Sequence, residues 1–283
     1  MTASKRREPA LAAIALFLDV DGTLLELAAT PRAVSVPGDL REGLRGLSLA
    51  SGGAVALVSG REIRDLDALF APLTLPSAGL HGFEHRSASG VYHRRPLPSA
   101  AALEDARGAI SHLARQHAGL LLEDKQFALA LHYRDAPHLE EAVMKAMREI
   151  AARLTGELEL QRGKMVVELR PAGATKAEAV AAFLAEAPFA GRLPIFIGDD
   201  LTDEPAFELV NRLDGASVVV NAKRASAART RFADVTAVRG WLTQLQAEPA
   251  AALGQLPAFG HPASACHAPS PAAASGPRLR SRA

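Results

Sequence analysis

The chain has 283 residues, 48% of them hydrophobic and 22% charged, with 32 lysines and arginines against 31 aspartates and glutamates for a net charge of +1. That length supports one large or two modest domains with real cores, and the near-neutral balance lacks the basic excess that phosphate-backbone binding needs, which argues against a nucleic-acid partner. A lone cysteine, Cys266, cannot close an internal disulfide, build a thiolate-rich zinc site or hold an iron–sulfur cluster.

Lys5, Arg6 and Arg7 precede nine apolar residues, Ala10 to Leu18, in the layout of a signal peptide. The run passes straight into Asp19-Val20-Asp21-Gly22 with no small-residue cleavage site, and it is too short to cross a bilayer. It reads as a buried strand, and the protein as cytoplasmic with no membrane partner. Apolar runs at 13–18, 54–59, 193–198 and 216–220 alternate with stretches of helical periodicity at 39–50, 61–70, 175–187 and 203–213. This predicts an α/β, Rossmann-like parallel sheet covered on both faces, over residues 10–98 and 171–246. Ligands of such sheets bind beyond the carboxyl ends of the strands, where Asp19, Ser59 and Asp199 fall.

Residues 99–170 read differently: a helix (99–117), strands at 119–124 and 127–134, a helix (137–154), and strands at 156–161 and 165–170. Each strand pair makes a hairpin, through Asp124-Lys125-Gln126 and through Arg162-Gly163-Lys164. The segment is expected to be an inserted antiparallel α+β cap lying over the strand ends as a lid. Residues 247–283, rich in Ala, Pro, Ser and Gly, are expected to be a disordered tail.

The strongest chemical signal is LFLDVDGTLLEL, an apolar strand ending in two carboxylates two residues apart. A strand-end carboxylate can attack phosphorus while sharing a magnesium ion, and a second beside it can protonate the leaving oxygen and then activate water. Asp19 is thus the candidate nucleophile and Asp21 the candidate general acid and base. Taken singly, DVDG could also be a plain strand followed by a turn, since Asp and Gly are common turn residues, but the functional reading is the better one. Ser59-Gly60-Arg61 offers a hydroxyl and backbone N–H groups for phosphate oxygens, although Ser59 alone reads more simply as a helix cap. Lys176 opens a helix, where a cation is unfavourable unless an anion is near; an ordinary surface lysine is the plainer alternative. In IFIGDDLTDEPAF, acidic residues crowd one strand-to-helix junction, which suggests a cation ligated by Asp199, with Asp200 or Asp203 orienting its ligands or waters. Helix-dipole preference accounts for Glu204 and Glu208 without any metal.

LFLDVDGTL, VSGR, Lys176 and IGDDLTDE, in this order and at strand ends, resemble the four motifs of the haloacid dehalogenase-like phosphatases. The resemblance implies an aspartyl-phosphate mechanism with Asp19, Asp199 and the Asp21 backbone carbonyl on magnesium, and Ser59 and Lys176 on phosphate. GLHGFEHR, LEDKQFALALHYR and GKMVVELRP further resemble the trehalose-6-phosphate phosphatases over about residues 13–245. That family's sugar-gripping lid residues match Glu123, Lys125 and Glu168, with Lys164 and Arg134 as further candidates, and Arg61, His81 and Glu84 in the core. The implied substrate is trehalose 6-phosphate, with a functional link to its synthase. A phosphatase for sucrose phosphate or mannosyl-phosphoglycerate, or a lapsed regulatory module that binds a sugar phosphate, are the competing readings; a phosphomutase would need a second phosphate cradle that the lid does not display.

Overall fold

A computed structural model describes residues 11–27, 35–95, 99–124, 128–154, 157–163, 165–173, 175–222 and 224–260. The chain opens with β1 (Ile14–Leu18), α1 (Gly38–Ala50), β2 (Val55–Val58), α2 (Ile63–Phe70), β3 (Ser77–Gly79), β4 (Glu84–Arg86) and β5 (Tyr92–Arg94). Then follow α3 (Ala100–Gln116), β6 (Leu121–Asp124), β7 (Leu129–His132), α4 (Glu140–Ala152), β8 (Leu158–Gly163) and β9 (Val166–Pro171). The last elements are α5 (Lys176–Leu184), β10 (Leu193–Gly198), α6 (Glu204–Arg212), β11 (Ala216–Val220), β12 (Thr230–Phe232), α7 (Val235–Ala247), α8 (Pro249–Gly254) and α9 (Pro257–Gly260).

The larger sheet has the order β12-β11-β10-β1-β2-β3-β4-β5. Its strands are parallel from β12 to β3, and β4 and β5 add an antiparallel edge. The period-two alternation of a strand divides β1 between two cores. Leu16 and Leu18 join Leu44 of α1, Phe70 of α2 and Trp241 and Leu245 of α7, while Ala15 and Phe17 join Val180 and Phe183 of α5 and Phe207 of α6. Helices therefore cover both faces, and Ile14–Leu18 of the first apolar run form β1, between β10 and β2 in the sheet. Among the described residues no helix is long and apolar enough to cross a membrane.

The second sheet is antiparallel throughout, in the order β6-β7-β9-β8. Leu129, Leu131, Val167 and Leu169 on one face pack against Ile110 of α3 and Met147 of α4, making a third core from residues of the insert alone. Register places Glu123, Ala130, Glu168 and Gln161 in one row on the opposite face.

The tail expectation needs correcting. Residues 249–260 form α8 and α9, and Ala252, Leu253 and Leu256 are fully buried in the core under α7. Trp241 Nε1 donates to the Ala252 carbonyl at 3.0 Å. An Ala/Pro-rich composition hid this because proline is favoured in the first turn of a helix, where Pro249 and Pro257 stand. Residues 261–283, with Cys266, lie outside the described residues, as do Lys125 and Lys164.

Candidate active site

Because β2, β1 and β10 are adjacent and parallel, the residues just beyond their carboxyl ends come together: Ser59, Asp19 and Asp199. Backbone bonds extend the ladder past the strands, with Asp19 N–H donating to Ile197 O and Ser59 N–H to Ala78 O, both at 2.9 Å. Lys176 enters from the side as the first residue of α5, whose start is fixed by a reciprocal cap between Thr175 and Glu178. Its Nζ donates to Asp19 Oδ1 and Asp203 Oδ1, each at 2.7 Å, with all three side chains buried. Thr23, also buried, donates from Oγ1 to Asp19 Oδ2 at 3.2 Å. Asp203 Oδ2 accepts the backbone N–H groups of Asp199 at 3.0 Å and Asp200 at 2.9 Å, so this carboxylate ties the acidic loop to the lysine.

Electrostatics follow from this crowding. Burial alone pulls the Lys176 ammonium down, but Asp19 and Asp203 outweigh it and hold it above its ordinary value. Burial, and then the charges of Asp19 and Asp203, push the Asp199 carboxyl up to about 8. Burial raises Asp203 to about 6 against the pull of Lys176, leaving it ionised at neutral pH. Three acids thus face one cation, and burial with like charge opposes ionisation of Asp199.

That imbalance tests the fit of a metal. Carboxylate oxygens of Asp19, Asp199 and Asp203 lie within 4.8 Å of one another. Asp203 is fully buried with one oxygen on Lys176 and the other on two backbone N–H groups, whereas Asp19 Oδ2 accepts only the Thr23 hydroxyl at 3.2 Å, so Asp19 and Asp199 are the pair with capacity left to share a cation. Gly22, at φ +78°, brings the Asp21–Gly22 backbone against the same spot: a Cβ there would stand 2.0 Å from Asp199 Oδ2. Hard oxygen donors beside a carboxyl that needs positive charge suit magnesium. Asp200, by contrast, is exposed and caps the following turn by accepting Leu201 N–H at 2.7 Å, away from this cluster.

The Asp21 carboxylate is gripped by Arg61, whose Nε and Nη2 donate to its two oxygens at 2.6 Å each. This fork first of all raises the arginine's pKa, outweighing partial burial. Sequence reasoning placed both residues here but not their pairing, which depends on a contact across 40 positions. Arg61 N–H donates to Ser59 Oγ at 3.2 Å. His81, at φ +59°, lays its ring on the same loop, since a Cβ at Gly60 would stand 2.8 Å from the imidazole.

Glu84 corrects the expectation of a sugar contact. It is buried, with Oε2 accepting Ile63 N–H at 2.7 Å and Oε1 accepting the Tyr92 hydroxyl at 2.9 Å, so it anchors the start of α2. Glu123 and Glu168 do share one face of the cap sheet, separated by the methyl of Ala130. Arg134 is exposed in the turn after β7. Two further residues on that face escaped sequence reasoning, His132 and Gln161; only the strand register, which the hairpin spacing already implied, could have pointed to them.

The fold and the acids at its strand ends are arranged as in phosphatases of the haloacid dehalogenase-like class. A phosphatase of that superfamily from Bacteroides thetaiotaomicron shares the fold, with TM-score 0.58 and 17% identity over 88% of this chain and all of the other. Closer in shape is the C-terminal domain of a trehalose-6-phosphate phosphatase from Candida albicans, with TM-score 0.69 and 21% identity over 83% of this chain and 93% of that one. The trehalose-phosphatase family model matches residues 17–236. Escherichia coli K12 trehalose-6-phosphate phosphatase is 45% identical over 246 residues, 87% of this chain and 91% of that protein. The chain belongs to the trehalose-phosphatase family.

Proposed function

We propose that the chain hydrolyses trehalose 6-phosphate to trehalose and phosphate, with residues 99–170 as the lid over the reacting groups. The observation that carries the chemistry is the buried Asp19–Lys176–Asp203 triad with Asp199 and Asp21 beside it. Similarity to the E. coli enzyme over nearly its whole length supports the substrate.

Asp19 attacks phosphorus as the nucleophile, and the bond to the sugar oxygen breaks as Asp21 gives that oxygen a proton, which Asp21 can carry only after one of its oxygens leaves the Arg61 fork. Water then releases phosphate from Asp19, with Asp21 taking the proton back. Lys176 uses two of its three N–H donors on carboxylates, and the third is left for a phosphate oxygen. The Ser59 hydroxyl accepts from Arg61 and keeps its own proton to donate to phosphate. Asp19, Asp199 and the Asp21 carbonyl would hold magnesium, which when bound would supply positive charge to offset repulsion between phosphate and nucleophile. On the lid, Glu123 and Glu168 are acceptors for sugar hydroxyls, joined by Lys125 and Lys164 in this reading.

We place the reaction in the cytoplasm, after the synthase step that makes its substrate. The test is phosphate release across a panel of sugar phosphates, with magnesium and with a chelator. Magnesium-dependent release from trehalose 6-phosphate is expected, and Asp19→Asn should abolish it with the circular dichroism spectrum unchanged. Substantial turnover by pure Asp19→Asn protein would remove Asp19 from the nucleophile role, and equal release from all the sugars would remove the lid assignment.

A further inference from the structure

We infer that His132 is a positioning residue for Glu123, fixing that carboxylate for the sugar before substrate arrives; this rests on the reading of Glu123 as a substrate group. Glu123 stands on the edge strand β6 directly opposite Ala130, whose methyl offers it no polar partner. With its side chain half exposed, the carboxylate would otherwise sample many rotamers, and that freedom would be lost on binding. His132 lies two residues along β7, on the same face and diagonal to Glu123. Its Nε2 is 2.8 Å from Glu123 Oε2. A carboxylate only accepts, so Nε2 carries the proton and donates. The bond holds one carboxylate oxygen of Glu123 on the face it shares with Glu168. Strands about 4.8 Å apart put those two acids on the order of 10 Å from each other, on one face of the sheet, with the buried Ala130 between them. An acidic pair braced in this way suits a polyhydroxylated ligand, whose hydroxyls donate to both.

The test compares His132→Ala, His132→Gln, Glu123→Gln and the Glu123→Gln/His132→Ala double variant in the full chain with magnesium. Substrates are trehalose 6-phosphate and p-nitrophenyl phosphate, which is too small to span to the lid. His132→Ala should raise KM for trehalose 6-phosphate about tenfold, the scale of one charge-assisted hydrogen bond. It should leave kcat and aryl phosphate turnover within about twofold of the parent. His132→Gln keeps an N–H donor and should recover most of the loss. The double variant should be no worse than Glu123→Gln alone. Independent, additive losses in the double variant would overturn the inference, as would a parallel fall in aryl phosphate turnover. An unchanged KM in His132→Ala, while Glu123→Gln raises it, overturns the role of His132 and leaves Glu123 in place. If Glu123→Gln itself leaves KM unchanged, the reading of Glu123 falls and the role of His132 with it.

Discussion

Lys176 answers two needs with one ammonium group. It joins Asp19 to Asp203 inside the protein, and in the proposed reaction its remaining donor goes to phosphate. A buried carboxylate pair without its cation is costly, because the charge that stabilised both is gone and water does not replace it. Lys176→Met should therefore lower unfolding free energy by about 3–5 kcal/mol, as is typical when one partner of a buried ion pair is removed. Urea denaturation at neutral pH measures this, and a loss under about 1 kcal/mol would mean that the acids neutralise or rehydrate cheaply. Turnover should fall at least on the order of 100-fold in the same variant, the usual scale for losing a donor to developing charge. The two readouts separate the structural task from the catalytic one: turnover lost with stability kept would leave Lys176 the catalytic task alone.

At the scale of elements, the last two helices are part of the catalytic domain's core. Ending the chain at residue 248 removes the buried Leu253 and Leu256 and leaves Trp241 Nε1 without the Ala252 carbonyl. Two leucines at about 1.5–3 kcal/mol each predict a loss of roughly 3–6 kcal/mol, whereas ending at residue 260 keeps both. A truncation at 248 with unchanged denaturation midpoint would contradict the packing of α8. Sequence periodicity could not reveal these helices, because six and four residues are too few for a 3.6-residue pattern to repeat. The same limit hid β3, β5 and β12, each three residues long. What was legible were long apolar runs and the polar residues ending them: Asp19, Ser59 and Asp199 were placed by reading those runs as parallel strands with ligands beyond their carboxyl ends, while the adjacency of β2, β1 and β10 came from the fold. Glu84 was misjudged because its partners, Ile63 N–H and Tyr92, lie 21 and 8 positions away, and no local pattern records such closure. Asp21 and Arg61 were each named, while the fork between them is a product of the fold.

Across the whole molecule, a net charge of +1 conceals a strong local imbalance at the carboxyl edge of the large sheet, where Asp19, Asp199 and Asp203 meet Lys176. Global stability should report it. The Asp199 carboxyl has an ordinary value of 3.8 and is held at about 8 in the folded protein. Between those limits the folded chain binds a proton that the unfolded chain has released, so stability falls as pH rises through this window. Asp203, raised to about 6, adds the same sign over the lower part. Magnesium favours the deprotonated carboxylate and binds the folded chain, so it stabilises more at the alkaline end than at the acid end. In a chelator, Tm should drop from about pH 5 to about pH 8; with saturating magnesium the drop should shrink or vanish. Two parallel Tm curves, with and without the ion, would mean that Asp199 does not hold the cation. In that case the raised carboxyl would be a cost of the fold alone, and the acids at the strand ends would need a different account.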